Sequence, residues 1–264
     1  MNETNYWERI SSSKKDDQGA LEGVRVLDLG EGIAGPFGAT FLADFGADVI
    51  KVEHPDGGDV LRQLPPFSQG ASLWWAVDGR NKKSLTADLS RSEGQDLVRR
   101  LVVVSDVVID SFRPGTLEKW NLGYEELRRA NEKIILVRAS GFGQTGPYRN
   151  RPGTDLTGSA LGGMTYLTGY PDGPPVRTGT SMCAYLTGLF SGLAAMLALY
   201  YRDVRNTGEG QEVDLALYES VLRVSEYNLS HYHLEAAIRE RVGNAHPATA
   251  PAGTFRTLDG RWAF

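Results

Sequence analysis

Cysteine is almost absent from this sequence, since Cys183 is the only one among 264 residues. A lone cysteine cannot form a disulfide within the chain, so we expect a reducing compartment, with the cytoplasm as the default. Positive charge is also in deficit, because 28 lysines and arginines face 33 aspartates and glutamates, for a net charge of −5. This balance excludes a protein that depends on a basic surface for nucleic acid or anionic membranes.

Long apolar runs are missing as well. The stretch 1–19 is polar and charged and lacks the apolar core of a signal peptide, so residues 1–20 are interpreted as an N-terminal arm. The longest apolar candidate is 186–201, and its glycines and alanines favour a buried helix over a membrane span. Hydrophobic residues make up 41% of the chain, which is enough for a substantial core.

Short apolar strands alternate with helices over residues 24–140, which is typical of a doubly wound parallel α/β sheet. The first strand leads into the turn Gly30-Glu31-Gly32-Ile33-Ala34-Gly35. Such a turn lets a phosphate approach backbone N–H groups at a helix N-terminus. With Glu53 downstream, the glycine spacing also fits the dinucleotide fingerprint formally, so NAD is an alternative ligand.

Motifs along most of the chain resemble those of the class III CoA-transferases, the CaiB/BaiF family that includes formyl-CoA transferase, carnitine CoA-transferase and α-methylacyl-CoA racemase. The matching segments are Leu21–Asp28, Ala34–Pro36, Leu42–Glu53, Asn81–Leu89, Ser111–Gly115, Ser140–Tyr148, Pro174–Gly188 and Thr207–Ser220. The resemblance covers about residues 21–264. It implies a CoA-binding, Rossmann-like large domain at 21–245, the start of a truncated, smaller second domain at 246–264, and an interlocked dimer.

The segment Pro174–Gly188 resembles the family's active-site motif, in which an aspartate attacks the thioester. This sequence has Ala184 at the aspartate's position. A methyl group has no lone pair, so the resemblance implies that this chain contributes no catalytic nucleophile. Cys183 is an alternative nucleophile, although a buried cysteine that packs as a small apolar residue is the commoner case.

Asp155 is a second carboxylate position in the matching motifs. The resemblance places it in the active-site wall, and the alternative is an N-cap for a helix over Leu156–Gly163. In racemase members a histidine precedes this aspartate. Thr154 stands there in this chain, so racemisation is not expected.

The resemblance also implies contacts to CoA, taken by position in the motifs. These residues are Ile33, Ala34, His54, Ala87, Ser111, Phe112, Arg113 and Lys119. His54 and Lys119 stand where arginine is frequent, and Ser111 stands where asparagine is frequent. Attraction of a phosphate by His54 would weaken above roughly pH 6.5, where histidine loses its charge.

CoA or acyl-CoA is expected as a substrate, with no tightly bound cofactor. His231, His233 and His246 have no partners at metal-ligand spacing, so no metal is expected. The aromatic cluster of Phe67, Trp74 and Trp75 is interpreted as packing or a dimer contact.

Three functional hypotheses follow from the missing aspartate. The chain is the nucleophile-lacking subunit of a heteromeric CoA-transferase, and the two-subunit benzylsuccinate CoA-transferase of anaerobic toluene breakdown, with succinyl-CoA as donor, is the case it most resembles. Alternatively, it is an aspartate-to-alanine variant of a homodimeric acyl-CoA:carboxylate CoA-transferase. The third hypothesis is a non-enzymatic CoA-binding or assembly protein.

Overall fold

A six-stranded parallel sheet is the centre of the computed structural model, which describes residues 19–246 and 248–263. The predicted arm therefore lies almost wholly outside the described residues. The strands are β1 Arg25–Asp28, β2 Asp48–Glu53, β3 Lys82–Thr86, β4 Val107–Asp110, β5 Ile135–Ser140 and β6 Glu212–Ala216. Their order is β3-β2-β1-β4-β5-β6, the arrangement of doubly wound dinucleotide-binding folds, and it confirms the predicted fold class.

Helices cover both faces of this sheet. They are α1 Ala34–Asp44, α2 Leu73–Asp78, α3 Ser92–Val102, α4 Thr116–Lys119, α5 Tyr124–Ala130, α6 Asp155–Leu161, α7 Met164–Leu167, α8 Met182–Leu199, α9 Leu217–Arg223 and α10 Asn228–Glu235. A 3-10 turn spans Val60–Gln63, and a π turn, Tyr200–Val204, extends α8. The sequence predicts one helix over Tyr218–His233. That prediction is wrong, because Glu226 has a φ of 56°, a left-handed value that an α-helix cannot contain.

Each face of the sheet has its own core, because successive residues of a buried strand point to opposite sides. The core against α1 and α8 contains Val26, Val49, Ile109, Val137, Leu42 and Ala195. The core against α3, α4 and α5 contains Leu27, Val108, Leu136, Val98, Leu117 and Leu127. These strands are buried on both sides, which is why they read as continuous apolar runs.

Glycines bring α1 and α8 unusually close together. A Cβ atom at Gly38 would lie 2.8 Å from the Gly188 carbonyl oxygen and 2.8 Å from the Ser191 Cβ. A Cβ atom at Gly188 would lie 2.9 Å from the Ala34 carbonyl oxygen. The N-terminal turns of the two helices are therefore held side by side.

The segment Met182–Val204, which is α8 with its π turn, is long and apolar enough to cross a membrane by length and composition. Half of its most apolar 18-residue stretch is buried inside the protein, against α1 and the sheet. It packs as a core helix here. Part of its surface stays exposed, including Leu189, Leu193 and Leu197.

Two short antiparallel hairpins complete the described chain. Phe67–Ser68 pairs with Ala71–Ser72, and Phe255–Arg256 pairs with Trp262–Ala263. The second hairpin closes at Leu258–Arg261, where the sequence predicts a turn. The assignment of 246–264 to a second domain stays a prediction.

Candidate functional site

A cavity of about 260 Å³ opens at the carboxyl ends of β1, β2 and β3, where doubly wound folds bind ligands. Three predicted CoA residues, His54, Ala87 and Phe112, line it. Trp120, which the sequence analysis missed, completes an aromatic wall, since its ring meets Phe112 edge to face at 5.1 Å. The wall can pack against a planar, apolar group such as a nucleotide base.

The glycine turn between β1 and α1 forms one side of this cavity. Ser111 fixes the turn, because its hydroxyl oxygen accepts from the Glu31 N–H (2.8 Å) and donates to the Glu31 carbonyl (3.0 Å). A Cβ atom at Gly35 would lie 3.2 Å from side-chain atoms of Ile109 and Ser111, so a larger residue would push these neighbours aside by a few tenths of an ångström. Ser111 thus holds the turn, and its role as a CoA contact stays a prediction.

Two predicted CoA residues, Ile33 and Ala34, begin α1. Ile33 is the N-cap position, and no side chain caps this helix. Uncapped N–H groups at a helix N-terminus favour a negatively charged ligand. Ala34 packs against the cluster of Cys183, Leu217 and Val221, so the turn connects the cavity to the start of α8.

Arg113 and Lys119 are the last two residues predicted to contact CoA, and both carry positive charge. Both are exposed, and neither lines the cavity. Their sequence neighbours Phe112 and Trp120 do line it. Arg113 and Lys119 are therefore placed beside the cavity rather than inside it, and their contact with phosphates stays a prediction.

Glu53, the acidic residue of the dinucleotide fingerprint, is already engaged. Its carboxylate accepts two hydrogen bonds from Arg62 (2.6 and 2.8 Å) and one from Ser84 (2.6 Å). Burial alone would raise the pKa of Glu53, but these donors and the Asp59 N–H outweigh it and lower the pKa to about 2. Arg62 also stacks on Trp75, 3.7 Å from the ring centroid, so this tryptophan packs within the chain.

Beneath the turn lies a group of buried charges that the sequence analysis missed. Lys51 and Lys82 share the carboxylate of Asp28, and Lys51 also pairs with Asp59. Burial opposes the charge on Lys51, but the carboxylates outweigh it and raise its pKa. For Lys82 burial prevails and lowers the pKa, although Asp28 acts against it. A lysine inside the otherwise apolar run 49–52 is the signal that could have found Lys51.

Ala184 is the third residue of α8 and only 6% exposed. Its backbone N–H donates to the Asp155 Oδ1 at 2.9 Å. No side chain of α8 caps this end of the helix, so Asp155, from α6, supplies the acceptor. The structure thus brings the two predicted active-site positions, 155 and 184, into direct contact.

Asp155 does not cap its own helix, which corrects that alternative. Thr154 is the N-cap of α6, and its hydroxyl accepts from the Thr157 N–H at 3.3 Å. Thr157 returns the contact by accepting from the Thr154 N–H at 2.8 Å. This reciprocal capping leaves the Asp155 carboxylate for α8.

Cys183 is fully buried, and its thiol lies 3.3 Å from the Leu217 carbonyl oxygen. Burial, with a smaller effect of Asp155, raises the pKa of Cys183 to about 12. The thiolate is the reactive form of cysteine, so the thiol is inert near neutral pH. Cys183 is a packing residue.

The family-like loop over 140–148 folds against the motif over 207–220. The Gln144 N–H donates to Asp214 at 2.9 Å, and the Phe142 ring lies 6.3 Å from that of Tyr218.

Among residues 19–246 and 248–263, no group of three or more histidine, cysteine or acidic side chains could hold a metal ion.

Three proteins of Chloroflexus aurantiacus that are similar to this chain are named as CoA-transferases. The chain is 50% identical over 243 residues to the succinyl-CoA–D-citramalate CoA-transferase of Chloroflexus aurantiacus, covering 92% of this chain and 60% of that protein. The beta subunit of the succinyl-CoA–L-malate CoA-transferase of the same organism is 47% identical, with coverage of 92% and 60%. Its alpha subunit is 41% identical, with coverage of 93% and 58%.

A solved CaiB/BaiF family protein from Brucella suis is similar in structure, with a TM-score of 0.86 and 39% identity over 93% of this chain and 65% of that one. The chain spans about three fifths of the length of the curated relatives it matches. Residues 21–264 match the family described as CoA-transferase family III. On these matches, and on the sheet order and motif contacts described above, the chain belongs to CoA-transferase family III.

Proposed function

We propose that this chain is a CoA-transferase subunit that lacks the nucleophile and works with a homologous subunit that carries it. The observation behind the proposal is Ala184 at the start of α8, where the family motif has its attacking aspartate. The neighbouring thiol of Cys183 is buried and protonated, so it does not replace the missing carboxylate. Two of the relatives are the alpha and beta subunits of one enzyme, which supports a heteromer.

The donor in this proposal is succinyl-CoA and the acceptor is a small dicarboxylic acid. The relatives are named for succinyl-CoA with D-citramalate or L-malate, both dicarboxylic acids. Benzylsuccinate, the acceptor suggested by the sequence, belongs to the same class. The partner's carboxylate attacks the thioester and releases the CoA thiolate, which leaves a succinyl anhydride on the enzyme. The acceptor carboxylate then displaces succinate to form a second anhydride with the enzyme. The thiolate attacks the acceptor's acyl carbon of this anhydride, which forms the new thioester and frees the partner's carboxylate.

The role proposed for this chain is to bind CoA. The cavity is smaller than the roughly 300–1,000 Å³ of sites that hold drug-sized ligands, so it suits one end of CoA rather than the whole molecule. The aromatic wall of Phe112 and Trp120 fits the adenine ring. The uncapped start of α1, with Arg113 and Lys119 nearby, would attract the phosphates.

Acyl transfer from succinyl-CoA to L-malate, D-citramalate and benzylsuccinate tests this function. The protein is assayed alone, as Ala184→Asp, and together with a homologous subunit that has aspartate at the position of Ala184. Ala160→Asp, which adds a carboxylate at an exposed position of α6, is the matched control. We expect activity only with the partner present.

Each other outcome points to a different hypothesis. Activity of Ala184→Asp alone, without gain from any partner, supports an aspartate-to-alanine variant of a homodimeric enzyme. CoA binding without transfer in any combination supports a non-enzymatic protein. A partner that is equally active without this chain contradicts the heteromer.

A further inference from the structure

Two lysines end beneath the glycine turn with their side chains each only 1% exposed. Lys51 lies on β2 and Lys82 begins β3. A buried ammonium destabilises a fold unless carboxylates and carbonyls surround it. The burial of two lysine ammonium groups in one place is explained by the atoms that they contact.

Both ammoniums bind carbonyl oxygens of the turn. Lys82 Nζ donates to the Pro36 carbonyl at 2.7 Å and to the Asp28 Oδ2 at 2.8 Å. Lys51 Nζ donates to the Gly30 carbonyl and lies 3.5 Å from the Asp28 Oδ1. Asp28 Oδ1 also accepts from the Gly30 N–H at 3.1 Å. Gly30 in the turn and Pro36 in the first turn of α1 are thus both connected to one carboxylate, Gly30 directly and Pro36 through Lys82.

Lys51 also reaches the opposite side of the cavity. Its Nζ lies 3.0 Å from the Asp59 Oδ2, an ion pair without hydrogen-bond geometry. Asp59 caps the 3-10 turn at Leu61 (2.9 Å), and its own N–H donates to Glu53 (2.9 Å). Gly30 and Asp59 both line the cavity, so Lys51 connects two of its walls.

We propose that Lys51 and Lys82 are positioning residues for nucleotide binding, which they influence through residues 30–36, the glycine turn together with the first residues of α1. The buried Gly30 carbonyl takes its donor from Lys51. The Pro36 carbonyl also accepts from the Thr40 hydroxyl at 3.0 Å, and Lys82 connects it to Asp28. The ammoniums thus fix the start of α1 relative to the cavity. Lys82 does not line the cavity, so it acts through the turn.

This inference rests on the proposed binding of CoA. The experiment distinguishes failure of CoA binding from failure of the positioning role of the lysines. Binding of coenzyme A is measured by calorimetry for wild type, Lys82→Met and the control Lys83→Met. Lys83 is the adjacent residue, its side chain is 72% exposed, and it pairs with Asp48 on the surface at 2.6 Å. Amide hydrogen exchange over 30–35 is measured on the free proteins, together with their melting temperatures.

We expect Lys82→Met to bind coenzyme A about tenfold more weakly, because the loss of hydrogen bonds from a charged group releases the turn. Its amides over 30–35 should exchange faster, whereas Lys83→Met should match wild type in both measurements. If Lys82→Met does not fold, Lys82→Gln, which keeps an N–H donor but loses the charge, takes its place.

Unchanged affinity in Lys82→Met, or an equal loss in Lys83→Met, overturns the inference. So does a loss of affinity without faster exchange in the turn, since the lysine would then act elsewhere. If wild type does not bind coenzyme A, the proposed function fails. Faster exchange in Lys82→Met would then still support positioning of the turn, and unchanged exchange would refute it.

Discussion

The close approach of α1 and α8 makes Gly38→Ala an informative change. The new methyl carbon would lie 2.8 Å from the Gly188 carbonyl oxygen, 2.8 Å from the Ser191 Cβ and 3.1 Å from the Gly192 nitrogen. Two of these three atoms belong to the backbone of α8, so they cannot move away by a rotamer change. The helices must separate.

Two opposing effects set the size of the change in stability. Alanine favours a helix interior over glycine by about 1 kcal/mol. Overpacking a core destabilises by about 1–3 kcal/mol, and contacts with helix backbone place Gly38 toward the upper end. We therefore expect a net loss of about 1–2 kcal/mol in the free energy of unfolding. In a domain of this size the melting temperature should fall by roughly 2–4 °C.

Urea denaturation and calorimetry of Gly38→Ala measure this loss. Gly173→Ala is the control, because a Cβ atom there would meet its nearest neighbour, the Tyr170 carbonyl oxygen, at an ordinary 3.7 Å. A Gly38→Ala protein as stable as wild type, with the control also unchanged, would refute the argument that these helices touch through their backbones.

Three further predictions concern the site. Glu53 has a lowered pKa, so the stability it contributes, about 3 kcal/mol, is present above its unfolded pKa of 4.5 and disappears as the pH falls toward 2. Glu53→Gln should flatten acid unfolding between about pH 5 and 2, as followed by circular dichroism, and an unchanged profile contradicts this. Asp155→Ala should destabilise the protein by about 1 kcal/mol in urea denaturation, and Asp155→Asn by less, because Asn retains an acceptor for the Ala184 N–H. Cys183 should resist a thiol reagent at pH 8 in the native protein and react once the protein is unfolded in urea; rapid labelling of the folded chain would contradict its burial.

The alternation of strands and helices predicted the doubly wound sheet, because a parallel strand order leaves a clear apolar pattern in the sequence. Motif positions also placed Asp155 and Ala184 in one site, and the structure has them in contact. The choice of helix that Asp155 caps was not accessible, since its partner lies 29 residues away and depends on how α6 meets α8.

The buried lysines and Trp120 escaped prediction for a similar reason. Sequence patterns treat lysine as a surface residue, and only the tertiary structure shows that Asp28, Asp59 and backbone carbonyls surround these two. The single helix expected over Tyr218–His233 failed because nothing local marks the left-handed backbone at Glu226.

The hydrogen bond between Asp155 and the amide of residue 184 has one more consequence. The geometry of this helix start is maintained by a neighbouring element through a main-chain atom, so it does not depend on which side chain residue 184 carries. A reactive group can therefore be lost or regained here by a single substitution without remodelling the scaffold.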